Sequence, residues 1–172
     1  VRFTPPRAGT FIYHTHWHDE AQLAGGLYGP LLVLNPGERY DPALDHVVVI
    51  GLNGVLDPTA REPFALNGRA DPAPIVMRAG VPNRLRIINI TPNNVAITTQ
   101  LVDRFDAVQW KPVAKDGAAL PADQTAPRLA RQLVSVGETY DFEVGSAAPR
   151  TLWLEVRRGS GEWILQTLVE IR

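Results

Sequence analysis

Thr151-Leu152-Trp153-Leu154-Glu155-Val156, the link Arg158-Gly159-Ser160-Gly161-Glu162 and the run from Trp163 to Ile171 together decide the fold class. Two runs rich in branched and aromatic residues, parted by a short Gly/Ser link, read as a β-hairpin. The same texture extends back through the chain. Thr139 to Val144 and Arg128 to Val136 are strand candidates parted by Gly137. Val108 to Ala114 is closed by Lys115-Asp116-Gly117, a turn. Val95-Ala96-Ile97-Thr98-Thr99-Gln100-Leu101 alternates, placing Val95, Ile97, Thr99 and Leu101 on one face. Leu85 to Asn89, Pro74 to Arg78 and the Phe64-Ala65-Leu66 run ahead of the Asn67-Gly68 turn continue the series. His46-Val47-Val48-Val49-Ile50-Gly51-Leu52 reads as a buried strand. Short strands at this spacing, with turn chemistry between them, predict an all-β Greek-key sandwich or barrel. Trp110, Trp153 and Trp163 sit in strand-like runs and are expected in the core or in inter-domain packing.

Composition narrows the function. The 172 residues are 45% hydrophobic, enough for a core, and carry a net charge of −1. Basic residues are scattered, so neither a nucleic-acid footprint nor a polybasic membrane patch is present. The apolar runs are too short to span a bilayer as helices. Cysteine is absent, which removes disulfides, thiol nucleophiles and thiolate-ligated metals from this chain. Fifteen prolines and fourteen glycines argue against long helices. The opening Val1-Arg2-Phe3-Thr4-Pro5-Pro6 shows no initiator Met and no signal-type apolar region, and reads as a processed or excised piece.

The chemistry concentrates in Phe11-Ile12-Tyr13-His14-Thr15-His16-Trp17-His18-Asp19, which holds three of the chain's four histidines. In a strand, alternate side chains share a face, so His14 and His16 can converge on one metal or straddle a pair. Imidazole suits copper, zinc, iron and nickel alike. If the strand continues, His18 joins the same face, as a ligand, as a neighbour orienting one, or in solvent. Asp19 and Glu20 read as solvated carboxylates ahead of a short helical turn over residues 19–24. The plain alternative is a histidine-rich edge strand facing water. His46, opening a buried strand, is expected to be a satisfied structural histidine. Leu31-Leu32-Val33-Leu34 reads as buried strand, and the Pro- and Gly-rich stretch over 35–45 as a linker.

Gly9-Thr10-Phe11-Ile12-Tyr13-His14-Thr15-His16, followed by Gly26-Leu27-Tyr28-Gly29-Pro30-Leu31, resembles a segment of the multicopper oxidases, the laccase-like blue copper enzymes. Residues 46–172 resemble the second cupredoxin domain of a three-domain member. Asn67-Gly68, Arg84 to Asn89, Ala114-Lys115-Asp116-Gly117 and Val136 to Asp141 carry that likeness, in the expected order. The resemblance implies a cupredoxin-type fold, with residues 1–45 the end of a first domain and 46–172 a second. It assigns His14 and His16 to the type 3 copper pair of a trinuclear cluster that reduces dioxygen to water with electrons from a reducing substrate. It also implies a periplasmic or extracellular setting. The family's other His-x-His motifs and its type 1 cysteine are not in this chain, and the segment after His16 is longer than in many laccases. The expectation is therefore a fragment, inactive alone, that binds copper weakly and needs further cupredoxin segments as partners. Its first 34 residues should leave apolar surface open to association.

Two other classes fit parts of the pattern. A cupin-type mononuclear metal protein also uses a His-x-His pair, then a Glu and a Gly, which His14, His16, Glu20 and Gly26 imitate. It needs a later histidine, and His46 lacks the flanking residues of that motif. A metal-free β-sandwich module is the third reading.

Overall fold

The computed structural model describes residues 2–52, 64–91 and 96–172, with Asp19 and Glu20 described by their backbone alone. Strands β1 (Gly9–His14) and β2 (Tyr28–Val33) form a two-stranded antiparallel hairpin, Gly9 opposite Val33 and His14 opposite Tyr28. A short helix, α1 (Asp19–Ala24), lies between them. The chain continues through β3 (Asp45–Leu52), β4 (Phe64–Leu66), β5 (Ile75–Met77), β6 (Asn83–Asn89), β7 (Ile97–Asp103) and β8 (Asp106–Ala107). Then come β9 (Gln109–Lys115), β10 (Ala118–Ala119), β11 (Arg128–Leu129), β12 (Arg131–Val134) and β13 (Thr139–Val144). The hairpin of β14 (Arg150–Arg158) and β15 (Trp163–Ile171) closes the chain. No helix among the described residues is long and apolar enough to cross a membrane.

Two sheets pack face to face. The first runs β10-β9-β13-β6-β3-β4 and the second β12-β7-β14-β15-β5. Most pairs are antiparallel; β3 with β6 and β15 with β5 are parallel. The predicted run Arg128 to Val136 is interrupted at Ala130, which is fully buried. Before it β11 pairs with β9 of the first sheet, and after it β12 pairs with β7 of the second. Ala130 N–H donates to Val108 O at 2.7 Å, at the point where β8 and β9 make the same change of sheet. These crossings turn the sandwich towards a barrel. Between the sheets Trp110 stacks on Phe142, ring centroids 3.8 Å apart, among Val48, Ile50, Leu85 and Leu154.

The near-continuous apolar runs of β3 and β6 have a physical reason: both faces are covered. Val48, Ile50, Leu85 and Ile87 face the inter-sheet core. Val49 and Ile88 face outwards, beneath Ile12, Leu23 and Tyr28 of the β1–β2 hairpin and α1. The same outer face carries Arg86, only 3% exposed. Its guanidinium reaches Asp45 at 2.7 Å and Asp141 at 2.9 Å. It also donates to Thr10 Oγ1 at 2.9 Å, and Thr10 in turn donates to Asp141 Oδ2 at 3.0 Å. The hairpin is thus tied to the sandwich by a buried charge as well as by apolar contact.

Close approach completes the seat. A side chain at Gly117 would overlap the Phe11 ring, and one at Gly51 would overlap Tyr28. Asp116 and Gly117 both have positive φ, 48° and 71°, which gives the predicted turn its geometry. Asn67 and Gly68 form a second turn of the same kind.

Several expectations need correction. Leu31, Leu32, Val33 and Leu34 are half-buried, because a two-stranded hairpin packs on one side only. Trp110 is core, but Trp163 is 45% exposed. His46 is half-buried and its Nε2 has no hydrogen-bond partner among the described residues. Val95 lies outside the described residues.

Arg86→Ala is expected to cost about 3–5 kcal/mol, because it removes the buried cation shared by Asp141 and the half-buried Asp45, and Arg84→Ala under about 1 kcal/mol; urea unfolding checks both. Arg84 contacts the same Asp141 at 3.2 Å but is 37% exposed. Burial lowers the affinity of the His46 imidazole for a proton below its ordinary value of 6.5. The unfolded chain then binds the extra proton, so stability falls as pH drops below about 6.5. His46→Gln should flatten that part of the pH–stability curve.

Candidate metal centre

Strand β1 ends at His14. One further bond of the hairpin, Thr15 N–H to Leu27 O at 3.2 Å, holds the chain before it turns into α1. The Thr15 hydroxyl then organises the turn. Its oxygen accepts from Trp17 N–H at 3.1 Å, and it donates to the Gln22 side-chain carbonyl on α1. Thr15 was not a candidate from sequence; its place between two histidines ahead of a polar helix was the signal that could have marked it.

His14 and His16 come together across Thr15. Their ring centroids are 4.4 Å apart, with planes tilted by 45°. His14 Nδ1 lies 2.8 Å from Thr15 O. A carbonyl only accepts, so Nδ1 carries the proton and the lone pair resides on Nε2. That tautomer leaves Nε2 free to ligate a metal, held by a backbone contact of the kind that orients ligating imidazoles. Both rings are exposed.

His18 leaves the strand face on which it was expected. It caps α1 with left-handed backbone, φ 50° and ψ 51°, and its ring meets Trp17 edge-on at 5.2 Å. No group of three or more His, Asp or Glu side chains that could hold a metal occurs among the described residues. His46, on β3, therefore does not complete a cupin-like set. The side chains of Asp19 and Glu20 lie outside the described residues. The observed donors fit a metal as a chelating pair with open positions, not as a closed site.

The surroundings are apolar and exposed. Trp17 is 73% exposed, Tyr13 57% and Leu27 54%. Tyr13 packs over Gly29 of β2, where a Cβ would meet its ring. The hairpin tip therefore presents two imidazoles framed by aromatic surface.

No family model matches the sequence, and no curated protein matches it. Solved structures do. A blue copper oxidase from Nitrosomonas europaea superposes with a TM-score of 0.71 at 20% identity, covering 98% of this chain and 57% of that one. A bacterial laccase-like multicopper oxidase from Ochrobactrum sp. gives 0.73 at 20% identity, over 96% of this chain and 41% of that one. A copper nitrite reductase from Nitrosomonas europaea gives 0.70 at 14% identity, over 99% and 64%. The chain thus spans less than two thirds of each of these relatives. The shared feature is the fold, a cupredoxin-type β-sandwich, and the hairpin is included in the superposed length.

Thr15→Val keeps the size of the side chain and removes its hydroxyl. It is expected to leave the fold intact and lower copper(II) affinity about tenfold, the low end for groups that orient a ligand; titration followed by Trp17 fluorescence measures this.

Proposed function

We propose that this chain is part of a copper-dependent oxidoreductase of the multicopper type, in which His14 and His16 supply copper ligands. The observation that carries the reading is the imidazole pair at 4.4 Å, with the His14 tautomer set by Thr15 O. The cupredoxin-type neighbours support it, several of them multicopper oxidases. Neutral imidazoles are good copper donors. Bound copper would supply one-electron chemistry that couples oxidation of a reducing substrate to reduction of dioxygen to water.

The chain's own residues bind and orient. His14 and His16 would each hold one copper of a type 3 pair. Thr15 and Gln22 hold the turn that sets the two rings. Tyr13, Trp17 and Leu27 offer the surface on which a neighbouring cupredoxin segment, carrying the remaining ligands, would sit. In this reading residues 1–45 finish a first cupredoxin domain, and residues 46–172 form a second that binds no copper and serves as a platform. A thiolate-ligated copper must come from elsewhere, since this chain has no cysteine. A periplasmic or extracellular location follows from the same reading.

Copper titration of the chain tests this, with paramagnetic broadening of the histidine ring resonances as readout. Weak binding is expected, broadening His14 and His16 first, and the double variant His14→Ala/His16→Ala should lose it. Broadening centred on His18, or uptake unchanged in the double variant, would overturn the ligand assignment. Oxygen consumption by the copper-loaded chain alone would overturn the need for outside ligands.

A further inference from the structure

The outer face of the second sheet carries two tryptophans that the copper reading does not use. Residues opposite one another in an antiparallel pair share a face. Trp153 with Leu168, Glu155 with Gln166, and Arg157 with Trp163 therefore lie on one side of β14–β15. Leu152, Leu154 and Val156 alternate with them and are buried in the core. Trp163 sits opposite Arg157, four residues along β14 from Trp153. At about 3.3 Å per residue the two positions are about 13 Å apart along the strand.

Between them the strand surface is polar, with Glu155 and Arg157 paired. The Glu155 carboxylate accepts from Gln100 Nε2 at 2.7 Å and from Arg157 at 2.9 and 3.0 Å. Gln166 is exposed and has no hydrogen-bond partner among the described residues. The segment from Arg69 to Pro74 forms a wall, tied to the sheet where Thr167 Oγ1 donates to Ala73 O at 3.0 Å. Trp153, Trp163, Gln166, Leu168, Arg69 and Asp71 line the resulting cavity of about 600 Å³.

We propose that this cavity binds a neutral oligosaccharide laid along β14–β15. Each indole would stack on the C–H side of a pyranose ring, and Gln166 and Arg69 would hydrogen-bond to hydroxyls between. The aromatic–polar–aromatic order asks for a ligand several linked rings long. The cavity's own charged residues are one cation and one anion, Arg69 and Asp71, so its lining has no net charge and matches a ligand with none of its own. A nucleic-acid strand also stacks on aromatic rings, but its phosphates require an excess of cations, and here Asp71 offsets Arg69 in the lining while Glu155 holds Arg157. The β1–β2 hairpin covers the first sheet and this face belongs to the second, so the proposal stands or falls separately from the copper reading.

The test is affinity electrophoresis of the full chain through gels containing hydroxyethylcellulose, xylan or glucomannan. Titration with cellohexaose and xylohexaose follows, read by tryptophan fluorescence in a Trp17→Phe background. Retardation by at least one polysaccharide is expected. Trp163→Ala should weaken hexasaccharide binding at least tenfold, and Trp153→Ala/Trp163→Ala should abolish it while near-UV circular dichroism still shows the Trp110 core signal. His14→Ala/His16→Ala should leave it unchanged. No retardation in any gel, retention in the double tryptophan variant, or glucose competing as well as the hexasaccharide would each overturn the proposal.

Discussion

A guanidinium buried to 3% exposure cannot stand without counter-charge, and Arg86 dictates what surrounds it. It sits on β6 directly opposite Asp141 of β13 and beside β3, whose first residue, Asp45, returns to meet it. Those carboxylates alone would leave the group open to water on the outer face. Thr10 of β1 closes the remaining side: it accepts from Arg86 and donates to Asp141, and its carbonyl takes the Thr139 hydroxyl at 3.0 Å. One polar cluster therefore joins three strands of the first sheet to the hairpin. Burial of Ile12, Leu23 and Tyr28 against Val49 and Ile88 adds non-directional attraction around it.

Where the hairpin is seated determines what its tip can do. Phe11 over Gly117 and Tyr28 over Gly51 leave no room for the hairpin to slide. His14 is therefore delivered at the end of β1, opposite Tyr28, with its ring in solvent. The chemistry then depends on a turn held by one hydroxyl. Thr15 serves Trp17 and Gln22 together, and the outcome is two adjacent imidazoles with one tautomer assigned. A regular strand continuing past His14 would have aligned three histidines. The turn keeps two and sends His18 to cap a helix.

The two faces of the sandwich carry different surfaces. The first sheet is covered by the hairpin and holds the exposed imidazole pair at its edge. Among the described residues the outer face of the second is left open, with Trp153 and Trp163 at either end of a strip where Glu155 and Arg157 pair. The core between them is continuous and apolar, so neither surface needs the other to form.

Much of this was legible in the chain as written. Period-two alternation and short turn-bounded runs specify strands, because a side chain on a pleat has only two directions to take. Asn67-Gly68 and Asp116-Gly117 specify turns, since positive φ comes easily to few residue types. The histidine spacing marked the metal candidates, and the order of weak motifs pointed to a cupredoxin-type fold. The changes of sheet at Val108 and Ala130, the partner of Arg86, the exposure of Trp163 and the departure of His18 were not legible. Each depends on which distant strand lies alongside: Thr10 and Asp141 meet across 131 residues of sequence. Local pattern sets the conformation of a segment. What covers a charge, or leaves an indole in water, is decided only when non-local surfaces compete for burial.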